Sequence, residues 1–312
     1  MLSRETEMLF SRLDCYDVLK TLGKGATSKV KLLQEPTSRI LYAAKIFKYS
    51  QDDIGLRDQV YTEIECLNRI SHKRVIKYFN YCEGGVYRKK NQTSYRCLYI
   101  LMEYCINGEF YDLINDYGSL DTYLCRFYFR QLIEALEACH RVGVYHGDIK
   151  LENLLLDSEF NLKLIDFGSS NYKNLKDLFS IRGTENYMPP EIRQNSRYDP
   201  EKVDVFEAGV LLFIMFVGVP PFNFADISDN FYRCLIGEET SKIFWRYHQK
   251  KRENKIFTTE FTNLIERMLA FNPGDRPSIT DIKEDVWFNA EVPNKEEIVR
   301  MIAYLKTNNS ES

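Results

Sequence analysis

Residues 16–46 carry short apolar runs broken by glycine, the pattern of strands joined through a tight turn. Residues 51–70 then place charged and apolar side chains at helical spacing. Residues 75–102 return to strand-like runs. Inside them lies a polar stretch, 83–96, which holds Gly84 and Gly85 and is predicted to be an exposed, mobile hairpin loop. Past Glu103 the period changes. Residues 107–115 start a short helix and residues 120–142 form a long amphipathic one. Two apolar triplets follow, at 154–156 and 162–164, and then a polar stretch at 169–199. The most apolar run, 208–219, is too short to span a bilayer and reads as a buried helix. The remainder alternates helices with loops, and from Pro293 onward the chain is charged and weakly helical, with 296–306 a short amphipathic candidate. The pattern therefore predicts an α+β chain in two unequal parts: a small strand-rich lobe with one main helix, and a larger mainly helical lobe. The seam falls at residues 103–108, behind a polar lead-in at residues 1–15.

Composition narrows the functional classes. A net charge of −3 on 312 residues demands neither a nucleic-acid partner nor a charged membrane surface. The eight cysteines show no C-x-x-C spacing and histidines number only four, so the thiols read as reduced and cytosolic rather than as a disulfide framework or a metal cage. No signal-like segment is seen at the start of the sequence. The expectation is a cytoplasmic protein with nuclear access left open, inserted in no membrane.

The candidate chemistry lies in four places. Gly23-Lys24-Gly25 sits between two strand-like runs; such a turn serves either as a plain hairpin or as a loop whose amides approach phosphate oxygens. Lys45 sits in the strand-like run Tyr42-Ala43-Ala44-Lys45-Ile46-Phe47. It is either a solvated strand residue or a phosphate ligand fixed by a carboxylate, for which Glu63 and Glu65 are both candidates. The third place is His146-Gly147-Asp148-Ile149-Lys150-Leu151-Glu152-Asn153, and the fourth is Asp166-Phe167-Gly168. Phosphoryl transfer needs a carboxylate to orient the attacking hydroxyl, hard oxygen ligands for Mg²⁺, and a cation against the moving charge. Asp148, Asn153, Asp166 and Lys150 supply those residue types in order.

Taken together, these motifs resemble the eukaryotic protein kinase family over about residues 16–288. The resemblance implies a two-lobed kinase fold, with a small antiparallel sheet lobe at 16–102, a hinge at 103–108, a large lobe at 109–288 and a tail at 289–312. It implies that Lys45 binds the ATP phosphates and pairs with Glu63, nine residues before His72, rather than with Glu65. Asp148 would be the catalytic carboxylate, with Lys150 and Thr184 beside it, and Asn153 and Asp166 would hold Mg²⁺ or Mn²⁺. Nucleotide contacts would come from Leu22, Gly23, Gly25, Val30, Ala43, Met102, Glu103, Cys105, Glu109 and Leu155. The segment Gly183-Thr184-Glu185-Asn186-Tyr187-Met188-Pro189-Pro190-Glu191 resembles the family's G-T-x-x-Y-x-A-P-E, and its Glu191 would pair with Arg276 in Asp275-Arg276-Pro277. Asp204 resembles the aspartate that receives the catalytic-loop amides. Lys150 and Thr184 imply a protein serine/threonine kinase whose partner is a protein substrate with a Ser or Thr acceptor. Val219-Pro220-Pro221-Phe222 and Val286-Trp287-Phe288 are most similar to the calcium/calmodulin-dependent and AMP-activated-like group. In the basophilic kinases of that kind, glutamates matching Glu109 and Glu152 receive a basic residue upstream of the target. Glu109 has a second possible job, on the ATP ribose.

The departures are as informative. Gly147 stands where the family usually has arginine, so the cation that commonly meets an activation-segment phosphate is missing. Ser180 is the candidate phosphosite, with Lys173, Lys176 and Arg182 as local cations. Ser28 replaces a third glycine, Leu151 a common proline, and Pro189 the usual alanine. The main rival is a pseudokinase serving as a nucleotide-binding scaffold; a small-molecule or lipid kinase and a non-catalytic α+β binding protein are weaker alternatives.

Overall fold

The computed structural model describes residues 10–47, 54–172, 184–252 and 255–308. The small lobe is built from β1 (Ser11–Leu13), β2 (Tyr16–Lys24), β3 (Ser28–Gln34), β4 (Leu41–Phe47), helix α1 (Ile54–Arg69), β5 (Tyr78–Arg88) and β6 (Ser94–Glu103). Its strands pair antiparallel in the order β1-β2-β3-β4-β6-β5. The barrel closes because Arg12 and Leu13 of β1 also pair with Arg88 and Tyr87 of β5. Alternate side chains point inward, so Leu13, Val18, Leu33, Ala44, Ile46, Cys97, Tyr99 and Leu101 form one buried cluster.

Two expectations are corrected here. The lead-in is not wholly irregular, since Ser11–Leu13 is a strand with partners on both sides. The stretch 83–96 is not a loop: β5 continues to Arg88 and β6 begins at Ser94, leaving a turn closed by Lys89 N to Thr93 O at 2.8 Å. The glycines that suggested a loop serve a register shift between Cys82 and Gly85. A Cβ on Gly85 would lie 2.5 Å from the Tyr99 ring, so glycine lets that ring lie against the strand.

The large lobe contains α2 (Phe110–Tyr117), α3 (Thr122–Arg141), the hairpin β7 (Leu154–Leu156) and β8 (Leu162–Leu164), and α4 (Pro190–Arg193). It continues with α5 (Pro200–Val217), α6 (Asn230–Ile236), α7 (Ser241–Lys251), α8 (Thr259–Met268), α9 (Ile279–Glu284), α10 (Val286–Asn289) and α11 (Lys295–Asn308). The Asp121 carboxylate caps α3 by accepting from Tyr123 N and Leu124 N. Leu124, Tyr128, Leu132, Leu136 and Cys139 then bury one stripe of that helix. α5 starts with Asp199 as cap and Pro200 in its first turn, and every residue from Val203 to Val217 is buried. It is the central post of the lobe, and it carries two buried acids, Asp204 and Glu207. The tail helix docks through Ile298 and Ile302, while Arg126 and Arg130 of α3 hold the carbonyls of Trp287, Phe288, Ala290 and Glu291. The architecture is thus the two-lobed α+β arrangement the pattern predicts. Among the described residues no helix is long and apolar enough to cross a membrane.

Candidate active site

A cleft of about 400 Å³ lies between the lobes. From the small lobe it is lined by Leu22, Gly23, Gly25 and Val30 of the β2–β3 turn and by Ala43 and Lys45 of β4. The turn is closed by Gly25 N donating to Ser28 O at 2.9 Å. The connecting strand adds Met102, Glu103 and Cys105. The large lobe adds Glu109, bridged to Leu155 of β7, and Asp166. Every residue expected to touch the nucleotide therefore lines one cavity. The Glu103 side chain accepts from Lys77 N at 2.6 Å and from Lys163 at 2.8 Å, and its amide is taken by Lys77 O. Cys105 closes the following turn by accepting from Gly108 N, and burial pushes its thiol up to about 12.

At the inner end Lys45 Nζ lies 2.7 Å from Glu63 Oε1 and 2.7 Å from Asp166 Oδ1. Glu63 is buried on α1, whereas Glu65 is half exposed on the same helix and only approaches Arg69, one turn on, at 4.0 Å. That settles which carboxylate faces the lysine. Burial works to lower the Lys45 pKa, but the charges of Glu63 and Asp166 outweigh it and the net shift is upward. Burial lifts the Glu63 carboxyl against the pull of Lys45. For Asp166, burial is again opposed by Lys45, and here the lysine wins: the acid sits below its ordinary value and stays ionised. Its backbone is in the left-handed region (φ 63°), an uncommon state for a non-glycine residue that is held by its neighbours. Phe167 packs edge-on against the buried His146 ring at 4.9 Å, and Gln59 of α1 donates to Gly168 O. Gln59 has no sequence signal beyond its helix position and was not anticipated.

The second cluster is the loop after α3. Asp148 accepts from Lys150 Nζ at 2.7 Å, from Thr184 Oγ1 at 2.9 Å and from Asn153 Nδ2 at 3.2 Å. Lys150 also donates to Thr184 Oγ1 at 2.7 Å. One carboxylate, one ammonium, one hydroxyl and one amide thus form a closed set, mostly shielded from solvent. Asp204 receives His146 N at 3.0 Å and Gly147 N at 2.7 Å, and pairs with His140. Gly147 has φ +70°, and a Cβ there would stand 3.3 Å from Ser169 O, so any side chain meets both a strained backbone and a crowded one. Thr184 reaches Asp148 because its segment is fastened downstream. Arg276 grips both Glu191 oxygens at 2.6 and 2.7 Å, bonds Ala270 O and Lys202 O, and stacks on Phe206. Lys173, Lys176, Ser180, Arg182 and Gly183 lie outside the described residues.

The donor set fits a nucleotide with a hard divalent cation. Asp166 is ionised and half open to the cleft, and Asn153 N–H donors point to Asp148, away from the amide oxygen. Among the described residues no three His, Cys, Asp or Glu side chains form a cage; a cation held by Asp166 and Asn153 would take its remaining ligands from phosphates and water.

The protein kinase domain family matches residues 16–288. The chain is 34% identical over 282 residues to CBL-interacting protein kinase 24 of Oryza sativa subsp. japonica, covering 89% of this chain and 57% of that protein. It is 32% identical over 292 residues to the SNF1-related protein kinase catalytic subunit alpha KIN12 of Arabidopsis thaliana, covering 93% of this chain and 54% of that protein. The chain spans little more than half the length of these curated relatives.

Proposed function

The chain belongs to the protein kinase family, and we propose that it transfers the γ-phosphate of ATP to a Ser or Thr hydroxyl of a protein. The observation that carries this reading is a pair of hydrogen-bonded clusters: Lys45, Glu63 and Asp166 at the inner end of the cleft, and Asp148, Lys150, Asn153 and Thr184 in the loop after α3, joined where Ile165 N, next to Asp166, donates to Asn153 O at 3.0 Å. A pseudokinase would be expected to lack one of these groups. Lys45, kept charged and aimed by Glu63, holds the α and β phosphates. Asp166 and Asn153 hold Mg²⁺ or Mn²⁺, which when bound offsets phosphate charge. Asp148 accepts the proton of the incoming hydroxyl and aims it, while Lys150 lies where charge grows on the transferred group.

The acceptor carries a basic residue upstream of the Ser or Thr. Support comes from Glu109 and Glu152, which the resemblance matches to glutamates that receive such a side chain; burial first, then the charges of Asp112 and Glu152, raise the Glu109 carboxyl. The test is transfer from labelled ATP to a position-scanning peptide library, with and without excess EDTA. Phosphoserine and phosphothreonine on peptides with upstream Arg or Lys, lost with EDTA, is the expected result. No transfer at all, or transfer undiminished by EDTA, overturns the activity; an acidic or proline-directed preference overturns the substrate class alone.

A further inference from the structure

We propose that Glu207 is a positioning residue for Asp148: buried under the catalytic loop, it fixes that carboxylate by receiving the Ile149 amide. The inference rests on the kinase reading above and deepens it.

The loop amides account for themselves almost completely. His146 N and Gly147 N go to the two oxygens of Asp204. Asp148 N reaches only His146 Nδ1, at 3.3 Å. Ile149 N goes to Glu207 Oε2 at 2.7 Å, among the shortest bonds in the loop. Asp148 is therefore flanked by two amides held on carboxylates three residues apart in α5, one on each side. Remove Asp204 and the loop loses its entry; remove Glu207 and it loses its exit.

Three features separate Glu207 from an incidental buried acid. It is 1% exposed in a helix whose neighbours Val205, Phe206, Ala208 and Val210 are apolar, so an ionic role in the surface is ruled out. No cation pairs with it among the described residues; its recorded bond is to the loop backbone. The loop it holds also contains Gly147, the most permissive residue for backbone, one position before Asp148. A loop with glycine at that point needs an additional tether to keep Asp148 aimed, and the Ile149 bond supplies it. Burial, with the nearby Asp204 charge, lifts the Glu207 carboxyl well above its ordinary value. A protonated carboxyl still offers a carbonyl oxygen to Ile149, so the tether persists in either state.

The experiment separates acceptor from charge. Glu207→Gln keeps an acceptor oxygen at the same reach, Glu207→Asp keeps the carboxyl but withdraws it by one methylene, and Glu207→Leu removes the acceptor. Turnover, KM for ATP, thermal melts and the exchange rate of the Ile149 amide by NMR are measured on each. The Gln variant is expected to keep kcat within about threefold. The Asp and Leu variants are expected to lose about tenfold to a hundredfold in kcat, with KM for ATP within about twofold, the scale of a misaimed catalytic group. Ile149 exchange is expected to be slow in the wild type and Gln variant and fast in the others. A folded Leu variant with wild-type kcat, or a Gln variant as impaired as Leu, overturns the proposal. Should Leu not fold, the Gln and Asp pair decides it alone. An inactive wild type overturns the kinase reading instead, while the exchange rates still report on the tether: fast exchange of Ile149 in the folded wild type overturns it.

Discussion

Lys45 lines the cleft and Asp148 sits in the loop after α3, and they are held in opposite ways. Lys45 is fixed by charge: Glu63 from α1 and Asp166 from the far lobe both reach its ammonium. Asp148 is fixed chiefly through backbone, because the amides on either side of it are fastened to acids of the buried helix α5. Ion pairs can exchange partners. When phosphates arrive, Lys45 can turn from Asp166, whose side chain is 46% exposed, without breaking any backbone bond. Amides on buried carboxylates cannot be exchanged so easily, since each leaves an unsatisfied group in a dry interior. The nucleotide end is thus built to rearrange, and the acceptor end is built in advance.

The most severe way to break this comparison is at the charge-held end. Lys45→Ala and Asp166→Asn are each expected to leave transfer from labelled ATP undetectable; the thermal melt stays near wild type for Asp166→Asn, whereas Lys45→Ala leaves Glu63 buried without its partner and melts lower. Next comes the prebuilt end. Asp148→Asn is expected to lower turnover about 10²–10⁴-fold, with ATP affinity by titration unchanged within about twofold; tenfold weaker ATP with normal turnover would contradict the role. A third test removes the downstream clamp. Arg276→Ala strands Glu191, buried and unpaired, and is expected to cost about 3–5 kcal/mol in urea unfolding. A smaller effect sharpens the role of Gly147. With no arginine beside Asp148 to be neutralised, phosphatase treatment confirmed by mass spectrometry is expected to change initial rates by less than about threefold; a collapse restored by phosphorylating Ser180 would reverse that expectation. The smallest is a pH effect on stability. The folded Glu207 carboxyl is raised, so wild-type stability present at low pH is lost as pH climbs from the ordinary glutamate value through the folded one. Glu207→Gln carries no such loss, so its melting temperature relative to wild type is expected to rise as pH climbs above the ordinary glutamate value.

Local pattern and motif spacing made much of this legible. The triplets 154–156 and 162–164 are β7 and β8 as read, since short apolar runs between polar turns permit little else. Asp166 could be picked out from the residue types phosphoryl transfer needs, and the other cleft residues only because the motifs resemble the protein kinase family position by position. What escaped depended on partners distant in sequence. Ser11–Leu13 has no alternation long enough to announce a strand; its pairing with Arg88 makes it one. Gly84 and Gly85 read as a loop, and only the folded Tyr99 ring shows why glycine is needed at 85. Glu207 did leave a trace, an acid three residues past Asp204 in an apolar helix, but what it bonds is decided by where the loop crosses α5.

The closure of the small lobe by β1 sets an order on folding during synthesis. Arg12 leaves the ribosome long before Arg88, its partner across the closing seam. At about 5–20 residues per second the first strand waits several seconds for the last. Until then β1 has only β2 beside it, and its other edge has nothing to close against. Ring closure is therefore a late, high-separation event, and the interval before it is when the nascent small lobe presents open strand edges to chaperones.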